Sequence, residues 1–443
     1  MRYPFWAPFL RLAGVNILSN LLVPLAGLLD LAFLGNLADI RHLAGVAIAT
    51  VLFNYIYWTF GFLRMGTTGT TAQAVGRGDA DEVLLTGLRG GAIALAVGLG
   101  ILLLQLPLRE IGFTLLSATP EVKLAGRDYY NAMIWGAPAT LLNLVWMGWF
   151  LGRGRGRAVL LLSLVSNGVN VVLNYWLIVR LGWASAGAGA ATALSQCAML
   201  AVALVLLSRE VSGNRVRAIA PQIWNAAALK SLFLLNGNIV IRTFALVTTF
   251  ALFTNLSAAM GTTVLAANTL LLQIVTLAAY FIDGLAFATE TYAGQFHGSG
   301  DGSRLRALAE LSAALSLGLG LAIALLFALL PQPLFRLLTH HADVLDGVRQ
   351  SVWWLLPLLG FGSLAYMLDG YFLGITAGDI LRKSALVSSF VGFAPLAAIA
   401  WQTQSNSLLW LALTCFMATR MVTLGLALRL ALRESGTDRG LGF

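Results

Sequence analysis

Charged residues are scarce in this chain. Only 11% of its 443 residues are Asp, Glu, Lys or Arg, whereas 58% are hydrophobic, and the mean hydropathy is +0.82. A soluble domain of this size is never so apolar, because it needs polar side chains to face water. The composition excludes a soluble protein. The apolar stretches predict an all-α polytopic membrane protein with twelve transmembrane helices.

Residues that commonly carry chemistry are also few. None of the three lysines, Lys123, Lys230 and Lys383, follows a glycine, so the phosphate-binding loop of ATP-driven pumps is absent. The four histidines all fall at span ends or in loops, which argues against acyl-transfer or zinc chemistry inside the membrane. Cys197 and Cys415 lie in apolar spans and are expected to act as small hydrophobes. We expect no enzymatic activity, no cofactor and no metal.

The excess of positive charge follows a topological pattern. The formal net charge is +9. If the N-terminus is cytoplasmic, 18 Lys and Arg residues fall in inside segments and 7 in outside loops. This is the bias expected of a membrane protein whose two termini are both cytoplasmic. The charge therefore gives no reason to expect nucleic acid as a partner.

The chain repeats itself at a constant offset of 222 in residue number. GWFLG at 148–152 corresponds to GYFLG at 370–374, and the glycines and aspartate of 76–79 correspond to those of 298–301. An ungapped offset over this length indicates two homologous six-helix halves, 1–208 and 230–443, joined by a basic linker at 209–229. An even number of helices gives both halves the same orientation, and a binding site is expected near the membrane midplane.

The first span carries two unusual residues, Pro24 and Asp30. An Asp at the centre of a membrane helix costs about 2.5–3.5 kcal/mol, so such residues often mark a function. Pro24 lies six residues earlier and has no N–H to donate, which favours a bend in the helix. We predict that the helix bends at Pro24 and that Asp30, a titratable group near the bend, acts as a switch. The competing interpretation is that Asp30 only packs against polar neighbours.

The acids are distributed differently in the two halves. At the offset of 222, Asp30 corresponds to Leu252, so this carboxylate occurs in the first half only. Three other acids in apolar spans occur in the second half only. Together with the amide side chain of Asn268, these acids form a predicted cavity or ion site of the second lobe: Asp283, Glu290, Asp369 and Asn268. The same acids could instead pair with the arginines of the spans, Arg64 or Arg242.

Six motifs resemble the multidrug and toxic compound extrusion (MATE) family, and most closely its DNA-damage-inducible F branch. In the first half they are PLAGLLDLAFLGNL at 24–37, FGFLRMGTTGTTAQAVGRGD at 60–79 and GAGAATALSQ at 187–196. In the second half they are LAANTLLLQI at 265–274, FIDGLAFATETYAGQFHG at 281–298 and LDGYFLGITAGDILRKS at 368–384. The resemblance implies two six-helix lobes and export of organic, often cationic amphipathic compounds against inward flow of H⁺ or Na⁺.

The resemblance also implies a site in the first lobe. It would comprise Asp30 with Asn170, Asn174 and Thr192, and proton coupling is expected there. Asn170 and Asn174 share one helix face because they are four residues apart. The family often has Asp at the position of Asn174, so Asp30 would be the only deep carboxylate of this lobe. Amide bonding between helices is the competing role for the two asparagines.

Three alternative functions compete with a proton-coupled exporter. They are a Na⁺-coupled drug antiporter, a flippase for lipid-linked precursors, and a channel. A flippase is expected to have additional helices and a strongly cationic cavity, and a channel is disfavoured by the unmatched Asp30. The expected location is the bacterial cytoplasmic (inner) membrane. The expected partners are the lipid bilayer and small amphipathic substrates, and the chain is expected to be monomeric.

Overall fold

The computed structural model describes residues 5–37, 39–116, 118–339 and 341–437. Within these ranges the chain forms helices and turns and no strand. Twelve of the described helices are long and apolar enough to cross a membrane, which confirms the predicted fold class. Six lie in the first half: α1 Trp6–Gly35, α2 Arg41–Arg77, α3 Ala80–Leu103, α4 Pro120–Gly152, α5 Gly156–Arg180 and α6 Ala184–Glu210. Six follow in the second: α7 Ala226–Ala259, α8 Thr262–Gly298, α9 Gly302–Leu329, α10 Ala342–Gly374, α11 Gly378–Thr403 and α12 Asn406–Leu432.

Contacts divide the chain into two compact units. The N-terminal unit is Leu18–Leu232, and the C-terminal unit contains the described residues before Leu18 together with those from Phe233 onward. In the C-terminal unit, the ring centroid of Phe5 lies 5.1 Å from that of Phe296 in α8. Ile17 lies against Gly284 of the same helix, where a side chain would collide with it. The start of α1 is thus held by apolar packing against α8.

The linker belongs to the N-terminal unit. Ile219 is buried against Leu84 and Leu85 of α3. Arg89, also on α3 and buried, donates to the main-chain carbonyl of Gln222 at 3.2 Å. The linker is therefore fixed to α3 by one apolar and one polar contact.

Close helix packing follows the repeat. In the N-terminal unit, a Cβ on Gly148 or Gly152 of α4 would collide with main-chain carbonyls of α2. In the C-terminal unit, Gly370 and Gly374 of α10 approach the carbonyls of α8 in the same way. The two pairs of glycines are counterparts in the repeat, and only glycine permits such an approach.

The hydrogen bonds that cap the N-termini of two helices also follow the repeat. The Asp79 side chain accepts a hydrogen bond from the N–H of Glu82 at the start of α3. The Asp301 side chain accepts one from the N–H of Arg304 at the start of α9, which is the counterpart of the first pair. The offset found in the sequence therefore describes the local structure of both halves.

Each unit has an apolar core. In the N-terminal unit it includes Phe53, Phe113 and Leu141, all at most 1% exposed. In the C-terminal unit it includes Phe253 and Trp410, which are fully buried. Several residues of the N-terminal core also line the cavity described next.

Candidate functional site

Asp30 lies in the last turns of α1, within the N-terminal unit. The helix runs without interruption through Pro24 to Gly35. At 1.5 Å per residue, Pro24 lies about 9 Å before Asp30 along the axis. Asp30 itself is half-buried, because it borders a cavity.

Four side chains form a hydrogen-bonded chain from Asp30 to α6. Asn174 Nδ2 donates to Asp30 Oδ1 at 2.5 Å and to Asn170 Oδ1 at 3.1 Å. Asn170 Nδ2 donates to Thr192 Oγ1 at 3.3 Å. Thr192 Oγ1 in turn donates to the Ala188 carbonyl at 3.0 Å. The structure thus brings together all four residues that the resemblance places in the first lobe.

The backbone changes form directly after Asn174. α5 is α-helical from Gly156 to Asn174 and π-helical from Tyr175 to Arg180. A π-helical turn is wider than an α-helical turn, and such turns are frequent at functional sites. Asn170 and Asn174 therefore occupy the last regular turn of the helix, facing Asp30.

A cavity of about 450 Å³ opens beside Asp30. It is lined by residues of α1, α2, α4, α5 and α6, and many of them are apolar, such as Val23, Leu34 and Val46. Among its described lining side chains, Asp30 is the one carboxylate, and none is Lys or Arg. A volume of this size fits a small organic molecule. The cavity can therefore hold an apolar body with one positive charge beside Asp30.

Sequence reasoning missed several polar residues that also line the cavity. They are Thr50, Tyr129, Ser166, Ser195 and Gln196. Thr192, Ser195 and Gln196 are separated by three and four residues, which places them on one face of α6. This spacing could have revealed the polar side of the cavity from the sequence. Tyr129 has no comparable signal, because aromatic residues in apolar spans usually belong to the core.

The acids of the second half do not form one cluster with Asn268. Asn268 and Glu290 are 22 residues apart on α8, which is about 33 Å along a helix. Asn268 Nδ2 donates to Ser257 Oγ at 2.8 Å, and its Oδ1 accepts from Trp410 Nε1 at 2.9 Å. Glu290 is buried and Asp283 is half-buried on the same helix. Asn268 thus lies in a separate polar group.

Asp369 forms buried ion pairs with two arginines. Its Oδ2 accepts from Arg242 of α7 and from Arg420 of α12. All three side chains are at most 8% exposed. The contact with Arg242 agrees with the alternative that the acids of the second half pair with arginines of the spans, and the sequence contains no signal for the contact with Arg420. Among the described residues, no group of three or more His, Cys, Asp or Glu could hold a metal ion.

Comparison with known families gives the same twofold pattern. The MatE family model matches the chain twice, over residues 16–176 and 239–400. DNA damage-inducible protein F of Escherichia coli (strain K12) is 32% identical over 418 residues, which are 94% of this chain and 90% of that protein. A probable multidrug resistance protein NorM of Thermotoga maritima is 22% identical over 388 residues, 86% of this chain and 82% of that protein.

Solved structures show the same fold at low identity. A MOP superfamily transporter from Pyrococcus furiosus superposes with a TM-score of 0.85 at 20% identity, covering 97% of this chain and 96% of the other. A MATE structure in a bent conformation superposes with a TM-score of 0.87 at 19% identity, covering 99% and 97%. At these identities the likeness establishes the fold alone.

Proposed function

Because this chain belongs to the MatE family of multidrug and toxic compound extrusion transporters, we propose that it is a proton-coupled antiporter exporting organic, often cationic and amphipathic compounds. Members of the family are transporters, and this chain is therefore a transporter and not an enzyme. The proposed location is the bacterial inner membrane, with both termini in the cytoplasm. The proposed driving force is the inward proton gradient.

The observation that carries the proposal is the setting of Asp30. One carboxylate borders a cavity of about 450 Å³ that has no cationic lining side chain among the residues described. The group of Asn174 that faces it is the NH₂ donor, at 2.5 Å. Two carboxylates could together hold a Na⁺, but Asp30 is the one carboxylate among the described side chains that line the cavity. A single carboxylate with amide donors is better suited to gain and lose a proton.

Competition for Asp30 would couple the two fluxes. A charged Asp30 attracts a cation in the cavity; at 4 Å and an effective dielectric constant of 20 the attraction is about 4 kcal/mol. A proton on Asp30 removes this attraction, so proton and cation favour opposite states of the same group. Tenfold mutual weakening requires only about 1.4 kcal/mol of coupling. Proton entry from outside would then release the substrate.

Protonation could also change the shape of α1. A neutral Asp30 needs its amide partners less, and α1 could then bend at Pro24 and repack against α5 and α6. The cavity would shrink and expel its contents. The bend is part of the proposal, in which the cavity opens alternately to the two sides of the membrane.

The test is uptake of a fluorescent cation into everted vesicles, because an exporter moves its substrate into the lumen of an inside-out vesicle. A pH gradient should drive transport in the wild type, and a Na⁺ gradient at constant pH should not. Asp30→Asn should remain folded, bind the cation poorly, and show the same affinity at pH 6 and pH 8. Transport that requires Na⁺ and ignores the pH gradient would favour the Na⁺-coupled alternative. An Asp30→Asn variant with wild-type pH dependence would place the proton elsewhere.

A further inference from the structure

The repeat allows the cavity to be compared with its counterpart in the C-terminal unit. The two halves are in register at this point, because Thr192 donates to the carbonyl of Ala188 and its counterpart Thr414 donates to that of Trp410. Ala188, which lines the cavity, thus occupies the same position as Trp410. A residue with one methyl group in one half corresponds to the largest side chain in the other.

Two further lining positions differ in the same direction. Leu31 of α1 corresponds to Phe253, and Ser195 of α6 corresponds to Met417. In the C-terminal unit, Phe253, Trp410 and Met417 belong to one core cluster and are at most 1% exposed. The rings of Phe253 and Trp410 meet edge to face with centroids 4.9 Å apart. Larger side chains therefore fill these positions in the second half.

Trp410 is also held by a polar contact. Its Nε1 donates to Asn268 Oδ1 at 2.9 Å, and Asn268 donates in turn to Ser257 and Asn406. Val46, which lines the cavity of the first half, is the counterpart of Asn268. Asn268, for which a cavity or ion role was expected, thus holds the tryptophan in place.

We propose that Leu31, Ala188 and Ser195 set the largest molecule that the cavity of the first half admits. In the first half Ala188 and Ser195 are 4% and 1% exposed and border the cavity, whereas in the second half larger side chains occupy all three positions within one core cluster. The proposal rests on the proposed function, because it concerns the same cavity. Leu31 and Ala188 have side chains that cannot form hydrogen bonds, and Ser195 Oγ donates to the Thr192 carbonyl at 2.8 Å, so none of the three side chains bonds to Asp30.

The experiment measures binding of two monovalent cations of different size, tetraethylammonium and tetraphenylphosphonium, to the purified full chain. Ala188 is 4% exposed and belongs to the N-terminal core, but it also borders the cavity, so Ala188→Leu adds three carbon atoms at the edge between core and cavity. It should weaken tetraphenylphosphonium binding by about tenfold or more while changing tetraethylammonium binding by less than about twofold. Ala201→Leu makes the same change on the exposed face of α6 and should alter neither affinity.

A second variant keeps the test independent of one substitution. Leu31→Phe introduces the side chain found at the counterpart position, Phe253, and should weaken binding of the larger cation in the same way. This variant still tests the proposal if Ala188→Leu is poorly folded on gel filtration. Equal weakening of both cations in the folded variants, or no weakening of either, overturns the size limit and leaves the proposed function standing. A wild-type protein that binds and exports neither cation overturns the proposed function itself.

Discussion

The buried ion pairs of Asp369 lead to a prediction about the stability of the folded protein. Asp369 is the shared partner of Arg242 and Arg420, and all three side chains are buried. Asp369→Asn keeps the size of the side chain and removes its charge, so two buried guanidinium groups lose their shared carboxylate. Removing one partner of a buried ion pair typically costs about 3–5 kcal/mol, since the remaining charge stays desolvated.

Removing one of the two arginines should destabilise the fold less than removing the carboxylate of Asp369. Arg420→Met keeps much of the side-chain length, leaves Asp369 paired with Arg242, and removes one buried charge together with its desolvation. The guanidinium also lies 5.7 Å from the Tyr366 ring centroid and 5.8 Å from that of Phe416. Loss of these cation–π contacts costs about 1 kcal/mol. We therefore expect Asp369→Asn to be clearly more destabilising than Arg420→Met.

The assay is thermal unfolding of the purified full chain in one detergent, with Asp346→Asn as the matched control. Asp346 pairs with Arg349 at 3.3 Å, and the two side chains are 64% and 46% exposed. An exposed pair contributes about 0.2–1 kcal/mol, so the control should shift the midpoint little. For a chain of this length, 1 kcal/mol corresponds to about 1 °C. If Asp369→Asn shifts the midpoint no more than Asp346→Asn, or if it abolishes transport at unchanged stability, the structural role assigned to Asp369 is wrong.

Three further predictions concern the first half and the repeat. Asn174→Ala should weaken transport less than Asp30→Asn, and Asn174→Asp should shift the pH optimum of efflux; loss of efflux in Asn174→Ala alone would assign the coupling role to α5. Pro24→Ala should keep substrate affinity and slow turnover, and unchanged turnover would remove the bend from the mechanism. Gly182 and Gln404, which are counterparts in the repeat, have φ values of 68° and 50°. Gly182→Gln should therefore destabilise by about 1 kcal/mol in the left-handed region, and an unchanged unfolding midpoint in denaturant titration would contradict this cost.

The sequence predicts much of the architecture because the physical signals are local. Long apolar runs require helices in lipid, and the offset of 222 follows from the chain alone, as at Gly148 and Gly370. The first-lobe site can also be predicted from the sequence, because the motifs containing Asp30 and Thr192 resemble a known family.

Contacts between residues that are far apart in the chain cannot be predicted from such local signals. Arg420 is 51 residues from Asp369, and an isolated Arg in an apolar span gives no indication of its partner. The size of the cavity depends on which side chains face it. The contrast between Ala188 and Trp410 acquires its meaning only when the structure shows that Ala188 borders a cavity, whereas Trp410 is enclosed in a core.

In the proposed mechanism, the one carboxylate among the described side chains that line the cavity also determines how much electric charge each transport cycle moves. If one proton enters on Asp30 as one monovalent cation leaves, the exchange is electroneutral and the membrane potential does no work on it. Export of a neutral compound would instead carry one net charge inward, and each 100 mV would then contribute about 2.3 kcal/mol. Collapsing the potential with a potassium ionophore at a fixed pH gradient should therefore slow the export of neutral substrates and leave that of monovalent cations unchanged.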